Sequence, residues 1–171
     1  GCLVSSITMV LHFHAITTLP NDEPLTPASL NAWLKQQSDG FIAQGLVNWS
    51  AISRLVRELH EKNNTTKLEY SRIPGSDLTT AVANIQANKP VILEIPGHFL
   101  VGNGVTQDTT DLFITDPAYS HEKLSQHDQQ LSSTRLLTPS NTDLSYMYFT
   151  HSPNIRVTLT DLNHAPLHNH D

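Results

Sequence analysis

The chain of 171 residues holds one cysteine, Cys2. A cysteine nucleophile works with an imidazole that takes and returns its proton and a carboxylate that orients the ring. Candidates for both lie in the stretch from Lys89 to Tyr119. His98 follows Pro96-Gly97, and Asp116 precedes Pro117. Three apolar runs occupy this stretch: Val91 to Ile95, Phe99 to Val105 and Leu112 to Thr115. Short β-branched runs between Pro-Gly and polar turns predict strands. If the second and third pair across the turn at Thr106 to Asp111, His98 and Asp116 become neighbours at one end of a sheet. Each residue alone has a plainer explanation. Cys2 fits a packed thiol, His98 a polar strand cap, and Asp116-Pro117 ordinary turn chemistry.

The remaining elements have to position this set. From Cys2 to Ile16, the apolar residues Leu3, Ile7, Val10, Leu11 and Ile16 are close to helical spacing. Cys2 then opens a helix, where free N–H groups and the macrodipole favour an anion. Thr26-Pro27 predicts the start of a helix to about Gln37, with Leu30, Trp33 and Leu34 inward. Phe41 to Val47 reads as a short apolar connector. Asn48 predicts a cap for a helix to about Lys62, with Trp49, Ile52, Leu55, Val56 and Leu59 as its stripe. Trp33 and Trp49 read as core residues and not as a ligand cage. Leu68 to Ile73 predicts a strand, and Ser76 or Asp77 caps a helix to about Asn88. Beyond Tyr119 the chain is polar to Thr142, and loop with at most one short helix is expected. Ser145 to His151 and Ile155 to Thr160 read as a closing hairpin, and residues 163–171 as a flexible tail.

Composition narrows the function. There are 10 basic and 16 acidic residues, a net charge of −6 with neutral histidines. Nucleic acid and anionic membrane both favour a basic face, so neither is an expected partner. No apolar run approaches the ~20 residues of a membrane span. A single cysteine excludes an internal disulfide framework. Two overlapping Asn-x-Thr sequons at Asn63 and Asn64, and a third at Asn48, matter only in a secreting eukaryote. The three histidines of the tail have acceptable ligand spacing, but a terminus rarely fixes ligands. His12 and His14 cannot share a helical face. His60, His121, His127 and His151 read as isolated polar residues, so no metal and no cofactor is expected. One domain spanning residues 1–171 accounts for the length.

The ordered set resembles a known family. Gly1-Cys2 ahead of a Ser/Thr-rich apolar helix, Leu25-Thr26-Pro27 with Leu30-Asn31 and Leu34, Gly40-Phe41 with Asn48-Trp49, Lys89-Pro90-Val91-Ile92, Gly97-His98-Phe99-Leu100-Val101 and Thr115-Asp116-Pro117 carry the likeness. Together they look like the bacteriocin-processing, double-glycine-leader branch of papain-like cysteine peptidases, in its stand-alone bacterial form. The likeness covers about residues 1–120. It implies an α+β papain-like fold, with N-terminal helices packed on an antiparallel sheet. It implies Cys2 as nucleophile, His98 as general base and acid, and Asp116 as the orienting residue. The implied partner is a peptide or protein substrate, and the implied location a bacterial exterior or cell surface. Oligomeric state stays open.

One position departs from the pattern. Members of that branch usually carry a Gln a few residues ahead of the cysteine, and its amide helps form the oxyanion hole. The sequence begins at Gly1. Losing one such donor costs ~10²–10³ in rate. Either an upstream segment supplies it, or the hole is incomplete and retains the backbone N–H of Cys2. Three functions therefore stay open: a thiol peptidase, a catalytically idle peptide-binding or scaffolding module, and a papain-like amidase or transglutaminase.

Overall fold

The computed structural model describes residues 1–43, 45–144 and 158. Helix α1 (Cys2–Phe13) buries Val4, Ile7, Val10 and Leu11, a stripe at helical spacing. Helix α2 (Pro27–Gln36) starts as Thr26-Pro27 predicts. The Thr26 hydroxyl accepts from the Ser29 N–H at 3.1 Å, and the Ser29 hydroxyl accepts from the Thr26 N–H at 2.8 Å. Two backbone donors at the helix start are thus satisfied reciprocally. Helix α3 (Trp49–Asn63) is capped by Asn48, whose Oδ1 accepts from the N–H and hydroxyl of Ser50 at 3.1 and 2.7 Å. Asn48 is buried, so this sequon serves as a helix cap. Asn64 ends α3 in the left-handed region with φ 54°.

Between α2 and α3 lies a small hairpin, β1 (Phe41–Ile42) with β2 (Leu46–Val47), where the sequence predicted a connector. The main sheet holds β3 (Leu68–Pro74), β4 (Val91–Ile95), β5 (His98–Val105), β6 (Leu112–Thr115) and β7 (Ser133–Pro139). Its spatial order is β3-β7-β4-β5-β6, and every pairing is antiparallel. Helix α4 (Thr79–Gln86) lies between β3 and β4 in sequence, and Asp77 Oδ1 accepts from the Thr79 N–H at 2.9 Å at its start.

Strand β7 corrects the expected loop after Tyr119. It lies inside the sheet between β3 and β4, and Ser133 and Thr134 are buried there. The predicted short helix in that stretch is a single 3₁₀ turn, Leu124–Gln126. The predicted closing hairpin falls, apart from Thr158, outside the described residues, as do His151 and the tail at 163–171.

Both faces of the sheet are covered. On one, Ile92, Val101, Leu68 and Leu137 pack with the inward residues of α1, α2 and α3. On the other, Val91, Leu93, Ile95, Leu100 and Leu112 pack with Ala81 and its helix α4. This explains why Val91 to Ile95 reads as a near-continuous apolar run and not as an alternating one. Among the described residues no helix is long and apolar enough to cross a membrane.

Candidate active site

The β4–β5 hairpin turns at Gly97, whose φ of +75° an L side chain would strain. His98 follows as the first residue of β5. Strand β6 pairs with β5 so that Thr115 faces Val101. One step further along that register sets Asp116 across from Leu100, on the same side of the sheet as His98. The predicted neighbourhood is present: His98 Nε2 lies 2.9 Å from Asp116 Oδ1.

The carboxylate is held tightly. The Asp116 side chain is shielded completely from solvent. Its Oδ1 also accepts from the N–H groups of Ala118 and Tyr119 at 2.8 and 3.0 Å, in a turn that begins at Pro117. Burial pushes this carboxyl up, but those two N–H groups and the His98 ring outweigh it and leave it below the usual value. The result is an ionised acceptor behind a histidine whose side chain is 11% exposed. Tyr119 stands edge-on to the His98 ring at 5.4 Å.

Cys2 lies in the first turn of α1 and is partly buried. The helix N-terminus there carries no side-chain cap. Cys2 lines a cavity of about 840 Å³, shared with Gly97 and Phe99, the residues on either side of His98. Alternation along β5 sends Phe99 to the α1 side and His98 to the opposite side of the strand. Among the described residues, Cys2 and His98 therefore form no hydrogen bond. The structure joins His98 with Asp116 and sets Cys2 on the adjoining cavity wall.

The cavity has an apolar rim and a charged floor. Ile42 and Leu46 of the β1–β2 hairpin are 40% and 58% exposed at its edge. Trp49 stacks on Tyr70 with ring centroids 4.3 Å apart. The Arg135 guanidinium lies 5.3 Å from the Trp49 ring and 5.3 Å from the Phe99 ring. It also donates to Glu94 Oε2 at 2.7 Å and to the Tyr70 hydroxyl at 2.9 Å. Burial raises the Glu94 carboxyl, but the Ser133 hydroxyl, the Arg135 guanidinium and the Arg72 charge together hold it below its ordinary value. Sequence reading missed Arg135, Glu94 and Tyr70. They meet only through β7, which the local polarity concealed.

Two histidines read as isolated are not. His127 Nε2 lies 2.9 Å from Asp116 Oδ2, and His121 Nδ1 lies 3.3 Å from His127 Nε2. The 3₁₀ turn brings His127 back over the end of β6, a fold-back that no local periodicity signals. The expectation that neither joins another ligand is corrected here: Asp116, His121 and His127 present ligand atoms within 4.8 Å of one another.

A family model described as Peptidase_C39 like family matches residues 1–135, from the start of α1 into β7. Comparison with curated proteins found no match, and comparison with solved structures found none. Helices packed on an antiparallel sheet agree with the papain-like α+β fold expected from sequence. The chain belongs to the Peptidase_C39 like family and is a papain-like, cysteine-peptidase-like domain.

Proposed function

We propose that this domain hydrolyses a peptide or amide bond in a peptide or protein substrate, using Cys2, His98 and Asp116. The observation that carries the reading is the 2.9 Å contact between His98 and the shielded Asp116, at the end of the strand whose neighbouring residues share a cavity with Cys2. With Nε2 committed to Asp116, the nitrogen left to serve the sulfur is Nδ1. The imidazole takes the thiol proton, and the sulfur attacks the scissile carbonyl carbon. The carbonyl electron pair moves to oxygen, where the backbone N–H of Cys2 and the α1 dipole stabilise it. Collapse of the tetrahedral species breaks the C–N bond, and the amine leaves with the proton from His98. Water then attacks the thioester with His98 as base, releases the acid and restores the thiol. The reading requires the His98 ring, at the first residue of β5, to turn from the far side of that strand to within hydrogen-bond reach of sulfur in the free protein, a contact often long or poorly aligned without substrate.

A second reading follows from the missing Cys2–His98 hydrogen bond: a peptide-binding module of the same fold, with the apolar rim and the Arg135–Glu94 floor as its groove. Incubating the chain with a mixed peptide panel and analysing fragments by mass spectrometry separates the two. The peptidase reading expects new termini that disappear in Cys2→Ser. Peptides that bind but stay intact, even after a Gln-containing segment is added ahead of Gly1, would establish the binding module instead.

A further inference from the structure

We propose that Asp116, His121 and His127 form a site for a single divalent cation of the borderline class that imidazole and carboxylate prefer, zinc above all. The argument begins with the two oxygens of one carboxylate. Oδ1 is fully engaged by His98, Ala118 and Tyr119. Among the described residues Oδ2 has one hydrogen-bond partner, His127 Nε2 at 2.9 Å, and that nitrogen in turn faces His121 Nδ1 at 3.3 Å.

Protons alone serve this arrangement poorly. His127 Nε2 carries at most one hydrogen, which the carboxylate claims. The His121 nitrogen then shares that one hydrogen at a longer distance, or presents its own hydrogen to another N–H. A cation removes the conflict, because all three atoms offer it a lone pair. The spacing also suits the ion. Ligands at the usual Zn–N and Zn–O lengths of about 2.0–2.1 Å, set tetrahedrally, stand roughly 3.3 Å apart. The His127–His121 separation of 3.3 Å matches that edge, the Asp116–His127 separation of 2.9 Å falls short of it, and all three ligand atoms lie within 4.8 Å of one another. Three protein ligands leave a fourth position for water.

The frame is built without the ion. Ile114 N–H donates to the Glu122 carbonyl at 2.9 Å, which ties the loop to β6. Gln126 Oε1 accepts from the N–H groups of Glu122 and Lys123 at 2.7 and 2.8 Å, closing the segment that carries both histidines. Asp111 accepts from the Ser125 N–H at 3.1 Å. His121 is partly exposed and gives an ion its way in, while the His127 side chain is 7% exposed and held behind it. Bound there, the cation clips the loop behind Asp116 and leaves Oδ1 to His98. Binding does not depend on the peptidase reading.

The test uses the full chain carrying Cys2→Ser, with the tail histidines changed as His164→Ala, His168→Ala and His170→Ala. These changes remove competing thiol and tail ligands. Zinc chloride is titrated in competition with a chromophoric chelator. The site predicts one bound equivalent and a higher melting temperature with zinc. His121→Ala and His127→Ala each weaken binding by more than the ~10–100-fold that loss of an outer partner costs. Neither variant then gains stability from zinc. His121→Ala, at a partly exposed loop position, keeps the test decisive if His127→Ala folds poorly. A parent that binds no zinc, or His121→Ala that binds it as the parent does, overturns the proposal.

Discussion

Asp116 decides how the candidate site works at the scale of single residues. It offers one oxygen to His98 and the other to His127, from a side chain shielded from solvent. Truncating it removes the partner that fixes the His98 ring. Asp116→Ala is expected to lower kcat/KM for a cleaved peptide by about 10²-fold or more, and Asp116→Asn by at least as much, since its amide keeps the geometry but can hold the His98 ring in the wrong tautomer. Steady-state kinetics of the two variants check this. His98→Ala removes the proton carrier itself, with an expected loss of about 10²–10⁴-fold. At this scale the sequence was informative where chemistry is local. Pro96-Gly97 before His98 and Pro117 after Asp116 mark two strand ends, and an antiparallel hairpin brings such ends together. His121 and His127 were illegible because their partner lies across a turn whose path is set by side-chain bonds from Gln126 and Asp111.

At the scale of elements, the helices were legible because their stripes and caps are local. Thr26 illustrates this: Thr26-Pro27 marks the helix start in the sequence, and the fold adds a capping box with Ser29. Thr26→Ala should cost about 0.5–2 kcal/mol, read as a lower urea midpoint at unchanged slope. Strand β7 was not legible. Its sequence, Ser133 to Pro139, mixes Ser, Thr and Arg with two leucines, which resembles a solvated segment. In the fold Ser133 binds Glu94, and Arg135 binds Glu94 and Tyr70, so these polar groups find partners on β4 and β3 on either side, while Thr134 Oγ1 and Arg135 Nε are buried without one among the described residues. Burial of such groups depends on partners distant in sequence, which a local reading cannot supply. Gly102 shows how closely β5 packs with α4. A Cβ there would meet Val91 Cγ2 at 3.0 Å and the Cδ1 atoms of Ile85 and Leu93 at 3.2 Å. Gly102→Val should destabilise by about 1–3 kcal/mol through overpacking, measurable by the same denaturation.

For the whole molecule, one sheet covered on both faces places a thiol on one side of β5 and an imidazole–carboxylate pair at its end. Stability should depend on pH through His14, at the end of α1. Burial chiefly lowers its pKa from 6.5, with the Lys89 charge adding to that and the Leu137 backbone opposing it. The unfolded chain therefore binds the proton more readily. This contribution is fully present above the unfolded value of 6.5 and is lost as pH falls from there through the lower folded value. His14→Gln should flatten the decline in melting temperature on acidification below that point. The central claim concerns Cys2, and as the only cysteine it can be followed without interference. The direct measurement is its rate of alkylation by iodoacetamide near neutral pH, with intact-mass detection. A rate well above that of a free thiol, falling to the free-thiol rate in His98→Ala, is the predicted result. A Cys2 that reacts no faster than a free thiol, or just as fast without His98, would contradict it.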